Sequence, residues 1–144
     1  MRIFTTVCLV AMLQAAPTMA DPVAGAAQAL NAFRAENGRK ALSISPKLQA
    51  TAEGHANDML SNGFFDHKGS NGSTIGKRAK RKGYRFCLIA ENIAKGQRSL
   101  ADVMQSWETS AGHRKNMLLG KVREFGLARV DQNIWVMVLG KPGC

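Results

Sequence analysis

The sequence predicts an α+β fold in a single domain, because helical patterning fills its first two-thirds and strand-like patterning appears near its end. The chain has 144 residues. About 124 of them remain once an amino-terminal leader is set aside, which is enough to bury roughly two-thirds of the unfolded surface. No internal repeat, low-complexity tract or linker divides that part of the chain. We therefore expect residues 21–144 to form one domain.

Residues 1–20 have the pattern of a secretory signal peptide that is cleaved from the mature protein. Arg2 gives a short positive region, an apolar run follows, and residues 18–20 are small or short enough for a signal peptidase site. The run of about eleven residues is too short to span a bilayer, and no later segment is long and apolar enough to do so. Cys8 lies early in the run, which disfavours a lipoprotein anchor. We expect the mature protein to be soluble and secreted or periplasmic.

Two amphipathic helices are predicted first. Residues 22–37 place apolar side chains on one stripe, and Gly38 ends the segment. Residues 46–62 keep the same spacing, with Ser45 as an N-cap and Pro46 in the first turn.

A loop and two further helices follow. The loop at 68–73 is rich in Gly, Ser and Asn and precedes a short basic helix, for which we expect Ser73 as the cap and Gly83 as the end. Residues 99–102 have the spacing of a capping box and open a helix that carries Trp107.

The last part of the chain predicts a β-hairpin. Residues 125–130 and 133–139 are strand-like, and Asp131 and Gln132 form the turn between them. Helices early in the chain and strands gathered late are typical of an α+β domain.

Basic residues outnumber acidic ones, with 20 Lys and Arg against 10 Asp and Glu, and a net charge of +10. Much of the excess falls at 77–85. Four of its residues share one broad face of the predicted basic helix: Lys77, Arg78, Lys80 and Arg81. This face is either simply solvated or a contact for an anionic envelope component such as lipopolysaccharide, phospholipid head groups or teichoic acid. We expect no nucleic acid partner, since the protein is exported and no aromatic side chains interleave with the charges.

Export leaves two cysteines, Cys87 and Cys144. In an oxidising compartment we expect them to form one disulfide, the alternative being two free thiols. The bond would close a loop of nearly sixty residues and stabilise the fold by about 4 kcal/mol.

Chemically versatile side chains are concentrated between residues 90 and 117. Glu91 lies among apolar neighbours, so its carboxylate should be partly desolvated and in need of an imidazole or backbone donors. His113 lies in a Gly-His-Arg turn of the same stretch, and His67 follows two phenylalanines near the loop. The third histidine, His55, is interpreted as a boundary residue of the second helix without a function.

His67, Glu91 and His113 could hold zinc or another divalent metal, through two imidazoles and a carboxylate with one position left open. The alternative is a hydrogen-bonded structural cluster with no cofactor, because no His-x-x-x-His or Cys-x-x-Cys pair is present. A Ser110-based triad is disfavoured, since the chain lacks a Gly-x-Ser-x-Gly nucleophile elbow. We expect Ser110 to cap the turn at 112–117, with Arg114 and Asn116 tying that turn to neighbouring carbonyls.

Five motifs occur along the chain in a fixed order: Asn37-Gly38, Phe65-x-His67, Glu91-Asn92-Ile93-Ala94, Trp107-x-x-Ser110 and Gly112-His113-Arg114-x-Asn116. Together they resemble the CAP superfamily, also called the SCP domain, which includes cysteine-rich secretory, antigen 5 and pathogenesis-related 1 proteins. The match is to the compact bacterial branch and covers roughly residues 26–140.

The resemblance implies a three-layer α-β-α sandwich with a central antiparallel sheet and a cleft lined by His and Glu. His67 and Glu91 match the first His and Glu of the four-residue set in eukaryotic members. Ser110 stands where the second Glu is found, and Ile134 lies near the position of the second His. His113 belongs to the bacterial Gly-His-Arg pattern. Members of the family are credited with binding sterols, fatty acids or other lipids, and occasionally with proteolysis.

Three functions remain as hypotheses. The first is an exported, non-enzymatic module whose His67/Glu91/His113 cleft binds a ligand, with Trp107, Ser110, Arg114 and Asn116 as its framework. The second is a hydrolase acting on peptide or cell-wall material, with Glu91 as general base and the two histidines binding metal or polarising the carbonyl. The third is a carrier of a small lipid-like ligand, which would require an apolar groove. Whether the protein is an enzyme stays open, with a binding role preferred.

Overall fold

A computed structural model describes residues 23–144, so the predicted signal peptide lies outside the described residues. The elements in chain order are α1 (Ala26–Glu36), β1 (Ser43–Ile44), α2 (Pro46–Asn62), α3 (Ile75–Arg81), β2 (Phe86–Lys95), α4 (Leu100–Thr109), α5 (Ala111–Met117), β3 (Glu124–Val130) and β4 (Ile134–Pro142). Over this range the fold is therefore α+β, as the sequence predicts.

The strands form a single four-stranded sheet in the order β1-β3-β4-β2. Its three long strands are antiparallel, with β4 paired to β3 on one side and to β2 on the other. The two-residue β1 adds to β3 in parallel. The central strand β4 is buried along most of its length, and β2 lies at the sheet edge.

Alternate residues of β4 enter two separate cores, which makes the fold three-layered. Trp135, Met137 and Leu139 pack with α1 and α4. Ile134, Val136 and Val138 pack with α2 and α3. Since successive side chains of a strand point to opposite faces, helices cover both faces of the sheet. This confirms the α-β-α sandwich that the family resemblance implied.

Most of the predicted helices are present, with changes at their ends. The second helix coincides with α2, and the Ser45 hydroxyl accepts from the Leu48 backbone N–H. The capping box at 99–102 opens α4. The basic helix is capped by Thr74 rather than by Ser73. The turn predicted at 112–117 is the seven-residue helix α5.

The prediction that strands are gathered late in the chain misses β2. This strand is ten residues long and precedes both α4 and the predicted hairpin. Polar and apolar residues do not alternate clearly along β2, which contains Ala, Glu, Asn and Lys among its apolar residues. The sequence pattern alone therefore does not predict a strand here. Pairing with the strongly apolar β4 supplies the stability that the local sequence lacks.

A very close approach of α2 to the sheet fixes the position of that helix. A Cβ at Gly126 of β3 would lie 2.6 Å from the Gln49 Cα, which no side chain can tolerate. The Gln49 amide also donates to the Leu127 carbonyl at 2.9 Å and accepts from the Leu127 N–H at 3.0 Å. Glycine at this position therefore allows helix backbone to rest on strand backbone.

A disulfide joins Cys87 of β2 to Cys144 at the end of the chain, as the sequence predicts. The two Cα atoms are 4.9 Å apart and 57 positions separate the residues in sequence. The bond fastens the segment after β4 to the edge strand. Within residues 23–144, no helix combines the length and the apolar character needed to cross a bilayer.

Candidate functional site

Glu91 lies at the centre of a buried network on the edge strand β2. Only 2% of its side chain is exposed. One carboxylate oxygen, Oε1, accepts from His67 Nδ1 at 2.9 Å, and the other, Oε2, accepts from Arg78 Nη2 at 2.7 Å. His55 Nε2 is 3.9 Å from Oε1. The need for donors that the sequence predicts for this carboxylate is thus met by one imidazole and one guanidinium.

Arg78 is buried, which corrects the prediction that it shares an exposed basic face with Lys77, Lys80 and Arg81. Its Nη1 donates to the His67 carbonyl at 2.9 Å and to the Ser73 carbonyl at 2.8 Å. The helix α3 lies against β2 and turns Arg78 and Ala79 toward the core. The guanidinium is held there because Glu91 is a buried anion and two loop carbonyls accept from Nη1.

His67 is the exposed member of this network, with 58% of its side chain accessible. Its Nδ1 faces Glu91, and its Nε2 has no hydrogen-bond partner within residues 23–144. The hydrogen bond to Glu91 raises the pKa of His67 above its ordinary value of 6.5, because the carboxylate favours the imidazolium. Glu91 therefore orients the ring, and the second nitrogen lies on the exposed side of the network.

His113 of α5 is in a less polar setting. Its Nδ1 is 2.9 Å from the Ser110 hydroxyl, and its ring centroid is 6.4 Å from that of Trp107. Burial lowers the pKa of His113, and the nearby positive charge of His67 lowers it further. Ser110 stands at the N-cap position of α5, but its hydroxyl contacts this imidazole and caps no backbone N–H, contrary to the prediction.

Side chains from α4 and α5 bond to the backbone of β2. Trp107 Nε1 donates to the Ile93 carbonyl at 3.4 Å, and Asn116 Nδ2 donates to the Glu91 carbonyl at 3.3 Å. In the opposite direction, Asn92 Nδ2 of β2 donates to the His113 carbonyl of α5 at 3.1 Å. These contacts hold the strand that bears Glu91 against the helix that bears His113.

Arg114 and Asn116 make hydrogen bonds to different parts of the structure. Asn116 bonds to a main-chain carbonyl as expected and also to the Asn92 side chain at 2.9 Å. Arg114 instead donates to the Asn37 side-chain oxygen at 2.7 Å, and its guanidinium lies 5.0 Å above the Phe33 ring. Arg114 therefore fastens α5 to α1 and takes no part in the cleft.

His55 belongs to the network although sequence reasoning gave it no role. Its side chain is fully buried, and Nε2 donates to the Asp66 carbonyl at 2.9 Å. Burial lowers its pKa, which leaves the ring neutral near pH 7. The signal was available: Leu48, Ala52 and Met59 form the buried stripe of α2, and position 55 falls on it.

Residues 65–68 contribute to two hollows. One, of about 380 Å³, is lined by His67, Glu91, Thr74 and Ile75 among others. The second, of about 460 Å³, is lined by Phe65, Ile93, Trp107 and His113, together with Ala94, Lys95, Gln97 and Ser106. Phe65 is 46% exposed, which is unusual for a large apolar side chain. His67 and Glu91 line the first hollow and His113 lines the second, so the three predicted cleft residues are divided between two neighbouring hollows.

The three residues suggested for zinc do not fit a metal site. No group of three His, Cys, Asp or Glu side chains able to hold a metal ion occurs in the described part of the chain. Both oxygens of Glu91 already accept hydrogen bonds, and the Arg78 guanidinium lies where a second cation would be repelled. The arrangement suits an oriented imidazole better than a bound cation.

The chain belongs to the CAP family, the cysteine-rich secretory protein family, whose sequence model matches residues 27–139. One relative is the Bacillus subtilis protein YkwD, described as uncharacterized, with 34% identity over 106 residues, 73% of this chain and 41% of that protein. Another is the uncharacterized B. subtilis membrane protein YlbC, with 27% identity over 105 residues, 73% of this chain and 30% of that protein. The chain spans less than half the length of both relatives.

Solved structures of bacterial proteins share the fold. An extracellular SCP-domain protein from Bacillus anthracis has a TM-score of 0.76 and 28% identity, over 81% of this chain and 40% of its own. An outer surface protein from Borrelia burgdorferi has a TM-score of 0.75 and 22% identity, over 81% and 89%. A cysteine-rich secretory protein from Staphylococcus aureus has a TM-score of 0.71 and 20% identity, over 87% and 40%. The last two likenesses show the fold alone.

Proposed function

We propose that this CAP domain is an exported binding module that recognises an amphipathic ligand in the cleft between His67 and His113. The observation that carries the proposal is the orientation of His67 by a buried anion. Glu91 holds Nδ1 at 2.9 Å, so Nε2 is presented at the mouth of the cleft with no partner in the described residues. A fixed, exposed imidazole beside an exposed Phe65 is suited to a polar head attached to an apolar chain.

The charge of His67 favours an anionic or carbonyl-bearing head group. Its raised pKa increases the fraction of imidazolium at neutral pH, and an imidazolium Nε2–H donates strong hydrogen bonds to anions. The apolar part of the ligand would lie along Phe65, Trp107 and Ile93, which line the larger hollow. We propose this hollow as the groove that a carrier of a small lipid-like ligand requires.

Export is supported by three separate features. The leader pattern at 1–20 is typical of secretion. The disulfide between Cys87 and Cys144 is stable in an oxidising compartment. The B. anthracis relative is described as extracellular. We place the mature protein in the periplasm or outside the cell.

The proposed cleft can be tested with a medium-chain fatty acid below its micelle concentration. We expect the ring signals of His67 and His113 to shift together in NMR spectra. His67→Gln and Phe65→Ser should each weaken binding about tenfold. The matched control is Lys121→Gln, an exposed residue outside the cleft, which should leave the affinity unchanged. Shifts that spread over the surface and respond equally to all three variants would refute the cleft as the binding site.

The three exposed cations of α3 extend the proposal to an anionic envelope surface. Lys77, Lys80 and Arg81 remain on the solvent side of the helix, whereas Arg78 is turned inward. Changing all three to Gln should weaken binding to phosphatidylglycerol vesicles and remove most of its dependence on salt. An affinity that is unaffected by the triple change would limit the ligand to the cleft.

Hydrolysis is the second candidate function, with His67 in place of Glu91 as the general base. Glu91 is too buried and too fully bonded to activate a water, whereas His67 has a free Nε2 and a carboxylate behind it. This is the arrangement of a histidine base oriented by an acid. Peptide or cell-wall hydrolysis that is lost in His67→Gln and kept in His113→Gln would favour it. No turnover by the wild-type protein would leave binding as the function.

A further inference from the structure

Three asparagines of the chain are followed directly by a glycine: Asn37, Asn62 and Asn71. The side-chain amide of such a residue is open to attack by the glycine nitrogen, because glycine has no Cβ to hinder the approach. The attack leads to aspartate or to its backbone isomer, isoaspartate. Its rate in a folded protein depends on how firmly the side-chain amide is held, and the three residues differ in this respect.

Asn37 is held at both ends of its amide group. Its Nδ2 donates to the Phe33 carbonyl at 2.8 Å, and its Oδ1 accepts from Arg114 Nη2 at 2.7 Å. The side chain is also half-buried. Loss of the amide nitrogen would break the first of these bonds, and a turn of the amide carbon toward Gly38 would strain the second. The fold therefore protects Asn37.

Asn62 is the last residue of α2 and is held through the nitrogen that the reaction would remove. Its Nδ2 donates to the Asp58 carbonyl at 3.1 Å and to the Asp58 carboxylate at 2.9 Å. A carboxylate at position 62 would lie beside that of Asp58, and two like charges at this separation repel each other. Asn62 is therefore protected both by its hydrogen bonds and by the charge of its neighbour.

Asn71 is exposed in the turn between α2 and α3, and its amide nitrogen is free. Oδ1 accepts from the Ser73 N–H at 3.0 Å, whereas Nδ2 makes no hydrogen bond within residues 23–144. The bond from Ser73 closes an Asx turn, which folds the side chain back over the intervening peptide of Gly72. It also polarises the amide carbonyl toward attack. The carbon is thus activated near the Gly72 nitrogen, and the leaving group is unrestrained.

The glycine N–H groups do not account for the difference. The Gly72 N–H donates to the Gly69 carbonyl at 2.8 Å, and this bond must open before the nitrogen can attack. The N–H groups of Gly38 and Gly63 are bonded to backbone carbonyls in the same way. This requirement slows all three reactions alike, so the state of the side-chain amide determines which asparagine reacts first.

The surroundings of Asn71 favour a negative charge. Asn71 lines a hollow of about 280 Å³ between α2 and α3. Three cations and one carboxylate also line it: Arg78, Arg81, Lys82 and Asp58. Arg81 and Lys82 are exposed and form no salt bridge within the described residues. The excess of positive charge stabilises a deprotonated Gly72 nitrogen and a new carboxylate at position 71.

We propose that Asn71 is a modification site at which the chain converts its own asparagine to isoaspartate and aspartate. The Gly72 nitrogen gives up its proton to solvent and forms a bond to Cγ of Asn71. The bond from Cγ to Nδ2 then breaks, and the nitrogen takes up a proton and leaves as ammonia. Water opens the resulting five-membered imide at either of its carbonyl carbons, which gives the two products.

Isoaspartate at position 71 would loosen the network around Glu91, because it lengthens the backbone of the turn at 69–73 by a methylene group. The Ser73 carbonyl in this turn accepts from the Gly69 N–H at 2.9 Å and from Arg78 Nη1 at 2.8 Å. A longer turn draws that carbonyl away from Arg78, which also bonds to the His67 carbonyl. The effect on ligand binding rests on the proposed function, whereas the conversion itself does not.

The conversion is measured on the folded full chain, kept without ligand at mildly alkaline pH. Trypsin releases Asn71 in the peptide 69–77, Asn37 in 35–39 and Asn62 in 48–68, and mass spectrometry follows the change from amide to acid in each. We expect Asn71 to react about tenfold faster than the other two. In urea the three rates should converge, since the protection comes from the fold. Equal rates in the folded protein, or no reaction at Asn71, would overturn the proposal.

The link to the site is tested by ageing two variants beside the wild type. Asn71→Gln does not form the five-membered imide, and Asn62→Gln is the matched control at an exposed asparagine that we expect to stay intact. The wild type and the control should lose melting temperature and show shifted His67 ring signals in NMR spectra, while Asn71→Gln stays unchanged. Unaltered His67 signals in fully converted protein would overturn this link.

The modification and the proposed ligand site fail separately. A protein that converts at Asn71 but never binds the fatty acid contradicts the proposed function and supports the modification site. A protein that binds the fatty acid and keeps Asn71 intact over the same incubation overturns the modification site and supports the cleft.

Discussion

Glu91 illustrates how one buried charge determines the positions of its neighbours. A carboxylate that is almost fully removed from water is costly unless donors surround it. Arg78 and His67 supply these donors from two different segments, a short helix and a loop. The same pairing explains why Arg78 leaves the basic face and why the His67 ring has a defined orientation.

Glu91→Gln should destabilise the protein by about 3 kcal/mol, because it leaves the Arg78 guanidinium buried without a counter-ion. The pKa of His67 should fall at the same time, since the bond to the carboxylate is what raises it. Urea unfolding measures the first effect and NMR titration the second. Glu108→Gln, a half-buried residue outside the network, is the control and should change neither. A variant as stable as the wild type would contradict the buried pair.

Sequence reasoning found Glu91 and His67 but not their partners. An isolated carboxylate among apolar residues signals that donors are needed, yet it does not say which residues supply them. The sequence predicts a surface position for Arg78 because five other basic residues lie close to it in the chain. His55 was given no role because a histidine beside apolar residues is common at a boundary. Both assignments depend on which side of a helix meets β2, and that is a tertiary property.

At the level of elements, contact between backbones decides the placement of α2. Gly126 lets the helix rest on β3, and His55 is carried on the same helix toward Glu91. The sequence predicts α2 well because its caps and its apolar stripe are local features. The sequence does not predict β2, because its identity as a strand depends on pairing with β4. It also does not predict α5 as a helix, because α5 is only seven residues long and lies between α4 and β3, whose patterns are stronger.

Gly126→Ala should destabilise the fold by about 3 kcal/mol, since the new methyl group would overlap the backbone of α2 and no flexible side chain can yield. Gly112→Ala is the matched control, because a Cβ at that position meets nothing within 4 Å and alanine is the better helix former. Thermal unfolding of the two variants should give opposite shifts. Equal shifts would contradict the close approach.

Removing the disulfide by changing Cys87 and Cys144 to Ser should lower the stability by about 4 kcal/mol, because the unfolded chain gains the freedom of a 57-residue loop. Reducing agent should lower the melting temperature of the wild type to that of the double variant and leave the variant itself unchanged. Reductant that affects both proteins equally would show that the cysteines are not the cause.

At the scale of the whole molecule, the fold consists of two cores on either side of a central sheet. Short sequence motifs that are far apart in the chain are enough to identify it. Strand β4 divides its residues between both cores, so its apolar pattern is strong and was predicted as a strand. The motifs of the CAP family lie largely on the elements around that strand. The family therefore defines the three layers, whereas the chemistry of the site depends on single side chains such as those of Ser110 and His113.

The three histidines give the whole molecule a defined dependence on pH. Burial lowers the pKa values of His55 and His113. Their contribution to the free energy of unfolding is therefore present above pH 6.5 and is lost as the solution is acidified below that pH. The bond to Glu91 raises the pKa of His67. The contribution of His67 to the free energy of unfolding is therefore complete below pH 6.5 and is lost as the pH rises through this raised pKa. We expect stability to decrease on both sides of a maximum near 6.5.

Urea unfolding at a series of pH values measures this profile, and NMR titration should place His67 on the opposite side of 6.5 from the other two rings. His113→Gln should flatten the acid side of the profile and leave the alkaline side as it is. An acid side that is equally steep in this variant would assign the whole effect to His55 or to carboxylates.

The bonds from Trp107 and Asn116 to β2 have a consequence for the solubility of the folded protein. β2 is an edge strand, and the outward backbone groups of such strands can pair with a strand from another molecule. Glu91 and Ile93 are two residues apart, so their carbonyls point to the same side of β2. Each carbonyl already accepts an N–H from a side chain of α4 or α5. A second chain could add its backbone here only by displacing an indole and an amide. The framework of the cleft thus also protects the sheet against aggregation.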